Sequence, residues 1–182
     1  MEEIKLGDDV FEQIKDFDHR PWKLAEEQKL LIDKLILNEE LKERYKEHGL
    51  CKECKQPNTS IYSWCQSCNG KRFQQNFQNW TSGNHDIDEL IQRTQLNAKH
   101  YREVLEWIEY DRFENIEYLA KGGFGTTYKA TWKDGFIWYW DSENNQWYRS
   151  GYGHPVALKC LHNSQDITVE FLNEVRYFFY NF

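Results

Sequence analysis

The chain of 182 residues is long enough for one ordinary domain or two small ones. An aromatic content of 16% with only 3 prolines excludes a disordered polymer. With 23 basic against 30 acidic residues, the net charge of −7 excludes a general electrostatic grip on nucleic acid.

No apolar run approaches the roughly 18–20 residues that span a bilayer. The acidic opening MEEIKLGDDVFEQIKDF is unlike a secretory signal. An intracellular, cytoplasmic, soluble chain is therefore expected, with neither membrane nor nucleic acid as partner. In a reducing compartment its five cysteines are metal ligands or free thiols in preference to disulfides.

A helical region is expected over 1–48. It holds a short helix at Asp9–Phe17, then one from Trp22 to about Leu37 with Leu24, Leu31 and Leu35 on one stripe. Asn38, followed by Glu39 and Glu40, reads as the N-cap of a further helix that runs to His48 and stops at Gly49.

Residues 49–72 carry CKECKQPNTSIYSWCQSC, in which Cys51 and Cys54, then Cys65 and Cys68, form two CxxC pairs ten residues apart. A CxxC turn points two sulfurs to one side, and two such turns facing each other supply the four thiolates of a closed zinc site. Pro57-Asn58 suggests a turn and Ile61–Trp64 a strand, so a hairpin brings the pairs together. Two local disulfides or a redox CxxC are the competing readings, and His48 is an alternative ligand. Four cysteines leave no open coordination position, which makes the zinc structural and not catalytic.

A helical linker is expected over 73–108. Phe73, Phe77 and Trp80 recur on one helical face as a packing stripe, Gly83 ends that helix, and Asn84 caps the next, with Asp86 and Asp88 in its first turn.

From Phe113 the period changes to short segments rich in aromatic and β-branched residues, separated by Gly, Asp and Asn, and the last segment, DITVEFLNEVRYFF, returns to helical spacing. Within this part, residues 133–153 read as an aromatic hairpin. Phe136, Trp138 and Trp140 share a face, Ser142–Asn145 form a turn, and Trp147 follows. Such a ribbon over 136–147 either packs back on the sheet or binds a protein partner, and so many aromatics argue for packing. Cys160, next to Lys159, reads as a buried strand cysteine, with a reactive thiol as the alternative.

Three elements stand in a fixed order: AKGGFGTTYKA, then VALK at Val156–Lys159, then EFLNEV. Together with LEWIEYDRFENIEYLAKGGFGTTYKA, LKCLHNSQDITVEFLNEV and the upstream CKEC…WCQSC and NFQNWTSGNHDIDELIQ, this text resembles an expanded family of fungal protein kinase-like proteins. The resemblance runs from about Trp22 to Val175.

It implies an α+β chain: N-terminal helices with a zinc knuckle, then an incomplete protein kinase small lobe over 111–182, made of an antiparallel sheet and one helix. It also implies ATP with Mg²⁺ as cofactor and protein phosphorylation on Ser/Thr or Tyr as activity. By the family pattern, Gly122, Gly123, Phe124 and Gly125 form the flap over the phosphates. Leu119, Thr127 and Ala157 roof the adenine, Ala120 stands at the first position of the flap, and Lys159 holds the α- and β-phosphates, aimed by Glu174, with Glu170 the competing partner.

Departures from the pattern are plain. Ala120 replaces the first glycine, Thr127 the usual valine, and Gly125 lies 34 positions before Lys159, roughly twice the ordinary distance. No His-Arg-Asp loop and no Asp-Phe-Gly follow, so the 182 residues as written are expected not to turn over. The competing function is a zinc-stabilised interaction module carrying a pseudokinase remnant. In its plainest reading Lys159 is a solvated strand lysine.

Overall fold

The computed structural model describes residues 4–122 and 125–161. Among the described residues five α-helices come first: α1 (Asp8–Ile14), α2 (Glu26–Leu35), α3 (Glu39–His48), α4 (Gln66–Asn76) and α5 (His85–Asn97). Five strands follow: β1 (Phe113–Gly122), β2 (Gly125–Trp132), β3 (Ile137–Asp141), β4 (Gln146–Arg149) and β5 (His154–Leu161). The class is α+β with antiparallel sheets. The described residues include no helix long and apolar enough to cross a membrane.

The chain divides into two compact units. One holds the residues up to Asn79 together with Gln92–Val104, and the other holds Trp80–Ile91 and the residues from Leu105 onward. This grouping differs from the expected division at residues 48 and 72, because the cysteine segment is knitted into the helices around it. The Arg44 guanidinium donates to the carbonyls of Pro57 (2.7 Å) and Asn58 (3.3 Å), and Leu6 N–H donates to Gln56 Oε1 at 2.7 Å.

The first unit is built on helices whose ends are marked in the sequence. Asn38 Oδ1 accepts from Leu41 N–H at 3.0 Å, satisfying an orphan amide at the start of α3. Gly49 ends α3 at φ 68°, where a Cβ would also lie 1.8 Å from the His19 carbonyl oxygen, so both conformation and space demand glycine.

Helix α2 starts later than its apolar pattern predicts. Pro21–Lys23 form a 3₁₀ turn, and the Ala25 N–H donates to Gln28 Oε1 at 2.9 Å, which fixes the start at Glu26. The stripe also shifts. Leu24 is buried, but Leu31 and Leu35 are half-buried, and Ile32 and Ile36 fill the core with Leu6, Ile14, Leu41, Tyr45 and Leu50. Each such side chain contributes about 1.5–3 kcal/mol by leaving water.

The second unit carries the sheets. β1, β2 and β5 form a three-stranded antiparallel sheet in the order β1-β2-β5, and β3 and β4 form a two-stranded one. The aromatic ribbon is therefore a hairpin, as its spacing predicts. Trp140 and Trp147 pair across it with rings 5.2 Å apart, and Tyr139 stacks on Tyr148 at 4.8 Å. A register shift between Ile137 and Tyr139 breaks the expected alternation, so both Trp138 and Tyr139 stack on Tyr148. The Phe136 ring meets His154 edge-on at 5.0 Å, and the Arg149 guanidinium lies 5.8 Å from the Trp132 ring centre.

Candidate functional site

Cys51 and Cys54 flank a tight turn held by Lys55 N–H donating to the Cys51 carbonyl (3.0 Å) and Cys51 N–H donating to the Gln56 carbonyl (2.8 Å). Closing it puts Lys55 in the left-handed region at φ 57°, where glycine is the usual residue. The second pair belongs to α4. Cys65 is its N-cap and Cys68 sits in its first turn, so three-residue spacing on a helix sets both sulfurs on one side. That end of a helix carries partial positive charge, which favours thiolates.

The expected Ile61–Trp64 strand is instead a turn. Tyr62 and Ser63 take positive φ, both 56°, and Ser60 bridges to Trp64. Thr59 donates to the Trp64 carbonyl through both its N–H (2.7 Å) and its hydroxyl (3.1 Å), closing the loop. Pro57 and Asn58 do not make the turn. Pro57 pairs with Leu50, and Asn58 is buried with its amide donating to the His48 carbonyl at 2.9 Å. The alternation of apolar and polar residues in so short a segment does not separate a strand from a doubled-back loop.

All four sulfurs lie within 4.8 Å of one another, with Cys51 to Cys68 at 3.8 Å and Cys54 to Cys65 at 3.5 Å. A tetrahedral ion with sulfur ligands at about 2.3 Å holds those ligands about 3.8 Å apart. The set therefore fits one metal ion such as zinc, and all five cysteines are free thiols.

The thiols also share charge. Hydrogen bonds from Cys54, Cys65 and Cys68 hold the Cys51 thiol well below the ordinary range. Cys54, opposed by Cys51 but favoured by Cys65 and Cys68, is lowered to about 7. Cys65 and Cys68 are pushed up, foremost by Cys51. A cluster that readily yields its first thiolates and resists the last is completed by a cation.

Sequence reasoning missed Trp64. It is 0% exposed, and its Nε1–H donates to the Ala98 carbonyl at 2.9 Å. A tryptophan directly before the second CxxC pair was the available signal.

In the three-stranded sheet, residues directly opposite in an antiparallel pair share a face. Thr127 stands opposite both Ala120 on β1 and Lys159 on β5, and Lys129 stands opposite Ala157. Ala120, Thr127, Ala157 and Lys159 therefore lie on one face. The opposite face carries Tyr118, Tyr128, Leu158 and the buried Ala130 and Trp132.

Leu119 falls in a bulge between Tyr118 and Ala120 and is 60% exposed. Without that extra residue Ala120 would point with Tyr118, so the bulge sets which face it joins. Gly122 ends β1, paired with Gly125 at the start of β2. Gly125 has a reason of its own to be glycine: a Cβ there would lie 2.4 Å from the Cys160 carbonyl oxygen. Lys159 is exposed, and so is Cys160, which lies on β5 but is not buried as expected. Gly123, Phe124, Glu170 and Glu174 lie outside the described residues.

Comparison with protein-family models, with curated proteins and with solved structures finds no match.

Proposed function

We propose that the chain joins a zinc-stabilised helical module to the glycine-flap sheet of a protein kinase-like lobe, and that this sheet binds the phosphates of ATP. One observation carries the nucleotide reading: the common face of Ala120, Thr127, Ala157 and Lys159, at the end of the sheet where Gly122 pairs with Gly125. Thr127 and the two alanines leave room for a flat base beside Glu117 and Lys129, which share the face, and the Lys159 ammonium offers a cation to phosphate oxygens. The order of glycine flap, VALK and a Glu-bearing segment supports the same reading, with Lys159 and Glu174 as the ion pair and protein phosphorylation as the activity of the lineage. When bound, Mg²⁺ neutralises charge between phosphates. Lys159 orients them, and Thr127 and Ala157 cover the base.

The close set of four sulfurs favours zinc for the helical module, as a clamp between its two CxxC pairs. The second reading follows: a zinc-stabilised interaction module in which the sheet carries no ligand and the aromatic hairpin 136–147 meets a protein partner. Titration of the 182-residue chain with a fluorescent ATP analogue, in Mg²⁺, separates the two. Saturable binding displaced by ATP, and weakened about tenfold or more by Lys159→Met, is expected. No displaceable binding up to millimolar ATP, with zinc still bound, leaves the interaction module.

A further inference from the structure

The segment that follows the middle of α5 returns to the cysteine module. Gln92–Val104 belongs to the same compact unit as the residues up to Asn79, and Ala98 within it is 2% exposed. Its contacts converge on the second CxxC pair. Trp64, directly before Cys65, is wholly buried and donates to the Ala98 carbonyl (2.9 Å). Gln66, directly after Cys65, reaches the Leu96 carbonyl at 3.5 Å. Gly70, two residues past Cys68, lies so near Leu96 that a Cβ would meet its carbonyl oxygen at 3.3 Å. Tyr62, inside the loop between the pairs, meets Tyr101 edge-on with rings 6.0 Å apart.

Each of these groups takes its position from a cysteine. Trp64, Gln66 and Gly70 all lie within two residues of Cys65 or Cys68, and Tyr62 sits on the turn that brings Cys65 back to Cys54. Thr59 also ties the loop, through its N–H (2.7 Å) and hydroxyl (3.1 Å) on the Trp64 carbonyl, while Tyr62 and Ser63 at its tip are exposed and at positive φ. Free thiols at 3.5–3.8 Å attract one another weakly, and thiolates repel. A bound ion converts that repulsion into four bonds.

We propose that metal binding at Cys51, Cys54, Cys65 and Cys68 gates the docking of residues 92–104, with Trp64 as the latch that couples the two. With the ion bound, the 60–70 stretch is rigid and the indole N–H is aimed at the Ala98 carbonyl. With the ion removed, the stretch loosens, the indole leaves, and the C-terminal half of α5 and the turn at Tyr101–Glu103 are released. The proposal rests on the metal reading of the tetrad and on nothing in the nucleotide reading.

Hydrogen–deuterium exchange on the full 182-residue chain tests it, after zinc stoichiometry has been measured by atomic absorption. Chelation is expected to speed exchange about tenfold or more in both 60–70 and 92–104, while the β2 amides (125–132) keep their protection. Trp64→Phe, which keeps an aromatic ring and removes the donor, is expected to retain one zinc and yet speed exchange in 92–104 by about tenfold. Zinc bound, with chelation loosening 60–70 but not 92–104, overturns the gate and leaves the metal site standing. Unchanged protection of 92–104 in Trp64→Phe overturns the latch. Loss of protection in β2 to the same extent overturns a local gate in favour of general unfolding. A chain that binds no metal removes the site and the gate together.

Discussion

Arg149 and Glu106, 43 positions apart, meet as an ion pair in which Glu106 keeps only 14% of its side-chain surface exposed. The same guanidinium donates to the Gly135 carbonyl at 2.7 Å and lies against the Trp132 ring, so one side chain ties β4 to the segment before β1 and to the turn before β3. Burial pushes the Glu106 carboxyl above its ordinary value of 4.5, with the Arg149 charge opposing.

Arg149→Met strands that carboxylate, and a cost of about 3 kcal/mol is expected at pH 7. The pH dependence has a definite sign. A folded-state value above the unfolded one means the native chain takes up the proton first, so the penalty is full above the folded value and vanishes below about 4.5. Denaturant melts of Arg149→Met should therefore recover stability relative to the parent as pH falls from 7 to 5. A gap that stays constant across this range contradicts the buried-carboxylate account. Glu106→Gln, which keeps hydrogen-bonding atoms and loses the charge, should remove the pH dependence.

The tetrad predicts a sharp difference among the five cysteines. Cys65→Ser removes a buried ligand from an N-cap, and loss of zinc with several kcal/mol of stability is expected. Cys160→Ser alters an exposed thiol and should leave both zinc content and melting temperature unchanged. Equal zinc content in the two variants would remove Cys65 from the ligand set.

Two flap glycines should respond unequally to alanine. At Gly125 the new methyl meets the Cys160 carbonyl oxygen at 2.4 Å, while at Gly122 the nearest contact is 3.9 Å. Gly125→Ala is expected to cost about 1–3 kcal/mol by forcing β2 and β5 apart, and Gly122→Ala less than about 1 kcal/mol. Thermal melts followed by circular dichroism check the order.

Lys55→Gly is expected to hold or raise stability by up to about 1 kcal/mol, because relief of left-handed strain outweighs the added freedom of the unfolded chain. A loss beyond 1 kcal/mol would show that the side chain itself matters to the knuckle.

Much of this is legible in the sequence. The spacing of Cys51, Cys54, Cys65 and Cys68, the Asn38 and Asn84 caps, the Gly49 stop and the aromatic hairpin depend on neighbours a few positions away. Asn84, for example, accepts from Asp86 N–H at 2.9 Å and Ile87 N–H at 3.3 Å, an interaction the local order of residues specifies. Other features had no local cause. Ile32 and Ile36 fill the core while Leu35 packs against it half-buried, because the packing partners choose the centre of the stripe.

For the sheet, the sequence by itself determined that VALK forms a strand. Tertiary structure decided that Ala120 shares a face with Lys159, through a bulge at Leu119 that alternation alone cannot reveal. It likewise decided that Trp64 closes on Ala98, 34 positions away. Caps, turns and ligand spacings are set by bonds along a few residues of chain. Strand phase and long-range docking are set by which surfaces meet, and that depends on every residue in between.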